Sequence, residues 1–483
     1  MIGNMHQMIW KKPAVFRWIH VLLNEMGTDI VCLRLGAIHV VAATCPEIAR
    51  EVLRKKDRVF TSRPPTFSAN LFSYGYKAAS LTTFEYQWKK MKRILTSEIL
   101  SPAMECKLHD KRLEEADHLI RYVYNLINIT HESSIDVRHV AKHFCGNMVR
   151  RLVFGKRYFS EQPTTSIGGP GLEEMEHVDA LISLVNHVYS FCMSDYFPCL
   201  VGLDLDGHQK IAKRVVSILD RLHDPIIRER MHEWSSHPKG GDKRDVADFL
   251  DVLISLQDED GHQLLSFEEI KAQCAEIMYA TVDNPTNAVE WALAEMLNKP
   301  DTMQKAVDEL DAVVGKERLV QESDLCKLNY LKACIRESFR IHPYHAFTLP
   351  RVATEDTTIG GYIIPKGTQV IISRLGLGRS SKVWLEPLEF RPDRHLNDGD
   401  VALTEPDLRF ISFSTGRRGC PGASLGTSIT MMLFARLLQG FTWTKPSNVD
   451  RISLQESRTS LALAEPLVLE AKPRLAAHLY VTK

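Results

Sequence analysis

One cysteine of the chain lies in a stretch whose composition favours metal binding. The run Phe413-Ser-Thr-Gly-Arg-Arg-Gly-Cys-Pro-Gly422 places Cys420 among glycines, a proline and two arginines. An apolar run with good helix formers follows, from about Ala423 to Leu438. A thiolate at Cys420 would lie beside the N-terminus of that helix, where the helix dipole and unpaired N–H groups favour negative charge. Such surroundings keep sulfur in the thiolate form that binds metals.

The glycines around Cys420 indicate what kind of group it would bind. Gly416 and Gly422 allow the backbone to approach something flat and bulky, because they carry no side chain. Cysteine thiolate is one of the axial ligands of haem iron, and it favours cleavage of the O–O bond. This stretch therefore predicts haem-thiolate chemistry, and a buried structural cysteine before a helix is the alternative.

A second chemical feature lies inside a long helical pattern. Ser266-Phe-Glu-Glu269 has the form of a capping box, and the pattern continues to about Asn298. Its centre contains Asp283-Asn-Pro-Thr-Asn287. Pro285 cannot donate to the carbonyl of Thr281, and a proline inside a helix costs about 3 kcal/mol. We expect a polar notch in a buried helix, as oxygen binding and proton transfer require, and a kink without chemistry is the alternative.

Charged pairs elsewhere are spaced to share helix faces. Glu337 and Arg340 are three residues apart in an amphipathic stretch, and Phe390-Arg-Pro-Asp-Arg394 follows later in the chain. Trp88 and Lys92 are four residues apart at the start of another helical pattern. A solvated basic helix face is the alternative reading of Trp88 and Lys92.

Composition excludes several classes of protein. The 483 residues carry a formal net charge of zero, which does not favour nucleic-acid binding. Ten cysteines occur with no Cys-x-x-Cys pair, which argues against a disulfide framework or a zinc site and favours a reducing compartment. No apolar run reaches the roughly 18 residues that a membrane span needs.

The cysteine stretch resembles the haem-binding signature of the cytochrome P450 superfamily. That signature, Phe-x-x-Gly-x-Arg-x-Cys-x-Gly, is met by Phe413, Gly416, Arg418, Cys420 and Gly422. The resemblance implies that Cys420 is the axial ligand of the iron of haem b (iron protoporphyrin IX). It also implies a mainly α fold with a smaller β region, formed by a single haem-binding domain over residues 1–483.

Two further sets of residues match the superfamily. Glu337, Arg340 and Arg394 correspond to its Glu-x-x-Arg pair and later arginine, a buried ion cluster that supports the haem-binding core. Trp88 and Lys92 stand where the superfamily has Trp-x-x-x-Arg, whose arginine pairs with a haem propionate. An ammonium at Lys92 can still neutralise a carboxylate, but it cannot bind it in the bidentate way of a guanidinium.

The notch sequence resembles one branch of the superfamily, the plant amino-acid N-monooxygenases that make aldoximes. The superfamily usually has an acid and two threonines here, whereas this chain has Asp283, Asn284 and Pro285. Thr286 stands where the branch usually has serine, and Thr281 where it has a small apolar residue. The resemblance implies that Asp283, Asn284 and Thr286 deliver protons during N-hydroxylation of an amino acid.

A hydrophobic L-amino acid is the expected substrate. The side chains expected to line its pocket are apolar, aromatic or small, and they are spread along the chain: Phe67, Phe72, Ala280, Thr281, Phe347, Leu349 and Thr459. The substrate carboxylate needs a partner inside an apolar pocket, for which Arg63 and Asn287 are candidates. The choice among hydrophobic amino acids stays open.

The resemblance also implies partners and a location. Electrons would come from NADPH through NADPH–cytochrome P450 reductase, with O2 as second substrate, at the cytosolic face of the endoplasmic reticulum membrane. Plant microsomal members carry an N-terminal anchor, which we expect to be missing before Met1, and a natural soluble form is the alternative. Two other functions stay open: hydroxylation of carbon in another plant metabolite, and haem binding without monooxygenase activity.

Overall fold

The computed structural model describes residues 3–11, 15–129, 134–160, 168–236, 245–396 and 399–481. Two polar segments that the sequence predicts to be loops, 160–171 and 235–244, lie largely outside these residues. The described chain is mainly helical with small sheets, as the sequence predicted.

Helices supply most of the structure. In chain order they are α1 (Met5–Lys11), α2 (Val15–Glu25), α3 (Pro46–Arg50), α4 (Phe67–Phe72), α5 (Tyr86–Ile94), α6 (Pro102–Lys107), α7 (His109–Asn128), α8 (Val137–Phe154), α9 (Leu172–His187), α10 (Met193–Tyr196), α11 (His208–Ser235), α12 (Phe249–Ser255), α13 (Phe267–Leu297), α14 (Pro300–Val313), α15 (Asn329–Ile341), α16 (Arg374–Gly378) and α17 (Ala423–Gly440).

The strands are short. They are β1 (Ile30–Leu35), β2 (Ile38–Ala43), β3 (Ser134–Asp136), β4 (Arg351–Val352), β5 (Thr357–Ile359), β6 (Tyr362–Ile364), β7 (Gln369–Ile372), β8 (Phe441–Thr444) and β9 (Val468–Pro473). They form a four-stranded sheet in the order β1-β2-β7-β4, a three-stranded sheet β3-β9-β8 and a two-stranded sheet β5-β6. In the first sheet β2 and β7 are parallel, and the other pairs are antiparallel.

The chain forms two compact units. The first contains Met1–Pro64, Ala116–Ala141 and Asn284–Lys483, and the second contains Pro65–Glu115 and Lys142–Asp283. The boundary between Asp283 and Asn284 falls inside α13, which is one continuous helix.

The core of the first unit forms around the four-stranded sheet. Buried apolar side chains of β2, β7 and α3 pack together there with residues of neighbouring loops, among them Val41, Ile48, Val370, Ile372 and Ile411. Alternation of buried residues along β1 and β7 explains why these segments form strands, since only one face of each meets the core. This core supports the segments that precede α16 and α17.

Three segments near the start of the chain also carry signals in the sequence. Thr28 to Thr44 is rich in Ile, Val and Leu, which predicts a β-hairpin, and β1 and β2 form it. Thr44-Cys-Pro-Glu47 predicts a helix capped by Thr44, but the N-cap is Cys45, and no side chain accepts the cap hydrogen bond. The aperiodic segment from Thr66 to Leu81 predicts a loop, but it begins with α4. The Oγ1 of Thr66 caps that helix by accepting from the amide of Ala69.

The long helix begins as the capping box predicts. The amide of Glu269 donates to Oγ of Ser266 at 3.3 Å, and the amide of Ser266 donates to the Glu269 carboxylate at 2.9 Å. These two hydrogen bonds satisfy N–H groups that a helix start leaves unpaired. Among the described helices, none is both long and apolar enough to cross a membrane.

Candidate functional site

The loop before α17 is tightly folded around Cys420. The amide of Cys420 donates to the carbonyl of Phe413 at 2.9 Å, and the amide of Gly419 donates to that of Gly416, also at 2.9 Å. Gly416 has a φ of +74°, and a Cβ there would lie 2.3 Å from the carbonyl oxygen of Leu53. Only glycine fits this position, because both the backbone angle and the close approach exclude a side chain.

The loop leads directly into α17 and leaves the cysteine accessible. Cys420 is exposed and lies two residues before Gly422, the N-cap of α17. The ring of Phe413 packs edge to face on Phe339 at 5.9 Å between centroids, and a Cβ at Gly426 would lie 3.3 Å from this ring. A thiolate at Cys420 is therefore held near the positive end of a helix by a backbone that has little freedom.

Positive charge is concentrated around this loop. Arg418 donates from Nε to the carbonyl of Thr61 at 2.7 Å. Arg351 is buried and lies 3.3 Å from Oδ1 of Asp57, which also accepts from the amide of Arg417 at 3.0 Å through its other oxygen. Burial lowers the pKa of Arg351 to about 10, and Arg63 nearby adds to this effect. Two guanidinium groups thus share Asp57, since Nε of Arg417 also lies 3.4 Å from it.

These residues fit a haem. The two carboxylates of a haem would suit guanidinium groups such as those of Arg351 and Arg418, and the thiolate of Cys420 would suit its iron. The glycines of the loop leave its surface free of side chains, as a flat group requires.

The structure brings Glu337, Arg340 and Arg394 into one buried cluster. Nε and an Nη of Arg340 each donate to a different oxygen of Glu337 at 2.7 Å, and Nε of Arg394 donates at 3.0 Å. Glu337 and Arg340 are completely buried. Arg340 also donates to the carbonyl of Pro387 at 2.7 Å, so the cluster connects α15 with the segment before Arg394.

His395 is a member of this cluster that the sequence did not reveal. Its Nδ1 accepts from Nε of Arg336 at 3.2 Å, so its proton is on Nε2, which donates to Glu337 at 2.7 Å. Burial opposes ionisation of Glu337, but the hydrogen bonds from Arg340 and His395 outweigh it and lower its pKa to about 2. The carboxylate is therefore ionised at neutral pH.

The middle of α13 has one open face. Between Glu269 and Leu297, all of which the structure describes, every side chain is buried except those of Ala280, Thr281 and Asn284. Positions 280 and 284 are one turn apart, so these three side chains lie on the same face. Protein atoms do not cover this face, which makes it the place on the helix where small molecules can approach.

Asp283 and Thr286 do not share that face. Asp283 is 9% exposed and Thr286 is 2% exposed. Successive residues of a helix are rotated by about 100°, which turns both side chains away from the direction of Asn284. Of the three residues expected to deliver protons, the structure places Asn284 alone on the open face.

The proline leaves α13 continuous. The helix runs through Pro285 without a break, although Pro285 offers no N–H to the carbonyl of Thr281. The hydroxyl of Thr281 is already used, because it donates to the carbonyl of Ile277 at 2.7 Å. The expected opening of the backbone is thus limited to one missing helical hydrogen bond.

Trp88 and Lys92 both lie on α5, in the second unit. Trp88 is buried and packs on Phe84 at 4.9 Å between ring centroids, whereas Lys92 is half-buried. Phe67 and Phe72 lie on α4 of the same unit. Phe67 is half-buried, but Phe72 is 1% exposed and offers almost no surface to a ligand.

The remaining pocket candidates lie in the first unit. Phe347 is half-buried and stacks on His20 at 5.0 Å between ring centroids. Leu349 is half-buried, and its carbonyl accepts from Arg63 at 2.9 Å. Thr459 is exposed in the turn of a hairpin within Ser453 to Pro466, in which Glu456 pairs with Leu463.

That hairpin is attached to α13. The indole N–H of Trp291 donates to the carbonyl of Leu461 at 3.0 Å. Arg138 forms an ion pair with Glu290 of α13 and also donates to the carbonyl of Leu463 at 2.8 Å. The arms of the hairpin are therefore fixed to the helix, whereas the turn with Thr459 is exposed.

The two candidates for binding a substrate carboxylate are already engaged. Arg63 is 6% exposed and donates to the carbonyls of Leu349 and Pro350 at 2.9 and 2.8 Å. Asn287 is 4% exposed and donates to the carbonyl of His342 at 3.4 Å. Both side chains therefore hold the backbone of the segment that precedes β4.

Known proteins resemble this chain over nearly its whole length. A tyrosine N-monooxygenase of Sorghum bicolor is 58% identical over 99% of this chain and 85% of its own length. Valine N-monooxygenase 2 of Manihot esculenta is 52% identical over 100% of this chain and 87% of its own length.

Solved structures and a family profile give the same result. A zebra fish cytochrome P450 determined with progesterone superimposes with a TM-score of 0.75 at 25% identity, covering 94% of this chain and 99% of the other. The sequence profile described as cytochrome P450 matches residues 1–470. On this match and on relatives that are more than half identical, the chain belongs to the cytochrome P450 family.

Proposed function

We propose that this protein is a haem-thiolate monooxygenase that converts a hydrophobic L-amino acid to its aldoxime. The observation that carries this proposal is the open face of α13, where an asparagine, Asn284, precedes the helix-internal Pro285. The relatives named as amino-acid N-monooxygenases support it, since they are 52% and 58% identical to the chain. The reaction consists of two N-hydroxylations, each with one O2 and two electrons, followed by loss of water and carbon dioxide.

The first unit supplies the residues that would hold the haem through its iron. Cys420 is the proposed axial ligand, in the loop formed by Phe413, Gly416, Arg418 and Gly422. The haem, when bound, supplies the activation of O2. We also propose that the buried cluster of Glu337, Arg340 and Arg394 keeps the segment before the loop in place, because it joins α15 to that segment.

Residues of the second unit are also among those proposed to contact the haem and the substrate. Trp88 and Lys92 share one face of α5, and Lys92 would neutralise a carboxylate of the haem as a point charge. Ala280 and Thr281 leave the amino acid room on the open face of α13. With these contributions, we propose that the whole chain acts as a single catalytic domain.

We propose that Asn284 helps to deliver protons to the bound oxygen by orienting a water molecule. Its amide group is exposed and can orient a water molecule, whereas an amide does not itself titrate. The carboxyl group of Asp283 is buried beside it in sequence, so we propose that Asp283 and Thr286 act by positioning the helix and its water.

The electron source and the location are proposed by analogy with the family. Members of this family take electrons from a redox partner and bind O2 and a small molecule. We propose NADPH–cytochrome P450 reductase as the partner and the cytosolic face of the endoplasmic reticulum as the site of action. Pocket side chains such as Phe67, Phe347 and Leu349 favour an amino acid with an apolar side chain.

A panel of amino acids tests the proposed function. The haem-loaded enzyme, a plant reductase and NADPH are incubated with each hydrophobic L-amino acid, and oximes are measured by mass spectrometry. We expect one aldoxime to dominate, with carbon dioxide released in equal amount. Products hydroxylated on carbon, with no oxime, would favour the carbon-hydroxylating alternative. NADPH consumption without any oxidised product would favour a haem protein without monooxygenase activity.

A further inference from the structure

Arg374 is fixed at the start of α16 by hydrogen bonds of the backbone around it. Its amide donates to the carbonyl of Ala346 at 2.8 Å, and the amide of Ser373 donates to that of Ala43 at 2.8 Å. The hydroxyl of Ser373 caps the helix by accepting from the amide of Gly376 at 2.7 Å. The position from which the Arg374 side chain extends is therefore well defined.

The side chain of Arg374 is half-buried, and its Nε is fully buried. Burial lowers its pKa to about 10, and Cys420 is the group whose charge opposes this shift. Part of the side chain is nevertheless left uncovered by protein atoms. Among the described residues, no group accepts a hydrogen bond from its buried Nε.

Neighbouring arginines, unlike Arg374, have hydrogen-bond acceptors or a counter-ion for their guanidinium groups. Arg379, on the same segment, donates to the carbonyl of Ile341 at 2.7 Å and forms an ion pair with Glu456 at 2.5 Å. Arg351 has Asp57 as its counter-ion. A buried N–H without an acceptor is costly, so the position of the Arg374 Nε suits an anion that the described residues do not provide.

We propose that Arg374 binds a carboxylate of the haem and adds positive charge beside the Cys420 thiolate. The buried Nε of Arg374 has no acceptor among the described residues, and Cys420, the proposed ligand of the haem iron, lies within electrostatic range of this guanidinium. A guanidinium binds a carboxylate through two parallel hydrogen bonds, which Lys92 on α5 cannot do. Arg374 thus supplies a bidentate partner in a chain that has lysine where the superfamily has arginine.

Haem retention is the measurement that tests this assignment. The haem-loaded wild type is compared with Arg374→Leu, Arg374→Lys and the control Arg451→Leu, which removes an exposed arginine of the same unit. Transfer of haem to an excess of apomyoglobin is followed by absorbance. We expect Arg374→Leu to lose haem about tenfold faster or more, because the variant lacks the charge-assisted hydrogen bonds to the haem carboxylate. Arg374→Lys should recover part of the loss, and Arg451→Leu should match the wild type.

The ferric–ferrous potential gives a second readout. Loss of a cation beside the thiolate should lower the potential of Arg374→Leu, because positive charge favours the reduced iron. Where Arg374→Leu yields no soluble protein, Arg374→Gln replaces it. Faster haem loss in the glutamine variant than in the lysine variant supports the proposal.

Two results would overturn it. One is haem loss and a potential equal to those of the wild type in Arg374→Leu. The other is unchanged haem retention with weaker binding of the amino acid, which would make Arg374 a substrate residue. Neither readout depends on which product is formed, so failure to detect an aldoxime would leave this proposal standing.

Discussion

Nε2 of His395 donates to Oε2 of Glu337 at 2.7 Å, which gives the glutamate a histidine partner beside its two arginines. Both oxygens of the buried carboxylate are thereby engaged: Arg340 reaches both, and Arg394 donates to Oε1. Arg340 also lies over the ring of Trp384 at 4.9 Å, so the cluster is closed by an aromatic face. The cluster depends on Glu337, because its removal would take away the carboxylate that Arg340, Arg394 and His395 share.

The first prediction concerns this cluster. Glu337→Ala should destabilise the protein by about 3–5 kcal/mol, since it leaves Arg340 as a buried cation, and Arg394 as a half-buried one, without their counter-ion. We expect little haem-loaded protein, measured as the ferrous carbon monoxide band relative to total protein. Glu317→Ala, which removes an exposed glutamate of the same unit, is the control. Normal haem content in Glu337→Ala would show that the cluster does not support the haem-binding segment.

Asn284 provides a second prediction. Asn284→Ala removes the amide from the open face of α13, and oxime formation should fall by about 10²-fold, the lower end of what positioned proton transfer contributes. NADPH consumption should fall less, with the excess electrons released as hydrogen peroxide. The measurement is the ratio of oxime to NADPH consumed. Asn24→Ala on α2 is the matched control for an exposed asparagine, and an unchanged ratio in Asn284→Ala would argue against a role in proton delivery.

Pro285→Ala tests the missing hydrogen bond. The alanine restores an N–H opposite the carbonyl of Thr281. Because a helix-interior proline normally costs about 3 kcal/mol, the free energy of unfolding should rise or stay constant. We expect the ratio of oxime to NADPH to fall, because the carbonyl is no longer available to water. Chemical denaturation and product analysis of the same preparation separate the two effects. An unchanged ratio of oxime to NADPH consumed in Pro285→Ala would mean that the proline has no part in the chemistry.

A buried histidine pair of the second unit predicts a pH dependence. Arg150 donates to Nδ1 of His177 at 3.2 Å, so His177 carries its proton on Nε2 and donates to Nε2 of His223 at 2.9 Å. Both imidazoles are completely buried. Burial lowers the pKa of His223 to about 3 and that of His177 well below its ordinary value, so both are neutral in the folded protein.

The sign of the pH effect follows from these shifts. Below about pH 6.5 the unfolded histidines bind protons that the folded ones refuse, so stability falls as the pH falls towards about 3. The loss is at most about 1.4 kcal/mol per pH unit for each histidine. Urea unfolding between pH 7 and 5.5 measures it before most carboxylates titrate. His223→Phe should reduce the slope, and the exposed His262→Gln should leave it unchanged; equal slopes in both variants would contradict the assignment.

The local parts of the site could be predicted from sequence. The cysteine loop, the start of α13 at its capping box and the pairing of Glu337 with Arg340 all depend on residues within about ten positions. The start of α4 also had a local signal, because Thr66 is a suitable N-cap three residues before Ala69. The helix was missed because α4 is short and its sequence is rich in aromatic residues.

The long-range parts could not be predicted in the same way. His395 reaches Glu337 across 58 positions, and nothing in its neighbourhood distinguishes it from a surface histidine. Arg374 was not singled out because its surroundings come from Ala43, Ala346 and the cysteine loop, which are distant in sequence. Helix geometry could have shown that Asp283, Asn284 and Thr286 do not all face the same side. Once Asn284 is assumed to face the substrate, Asp283 and Thr286 must point elsewhere.

The attachment of the hairpin around Thr459 has a consequence for how substrate preference can change. Trp291 and Arg138 hold its arms through the carbonyls of Leu461 and Leu463, so the backbone contributes these bonds whatever side chains the turn carries. Residues at the exposed turn are thus free to vary in size and polarity with little cost in folding. We therefore expect substitutions in this turn to be able to alter which amino acid is accepted, while α13 keeps its position.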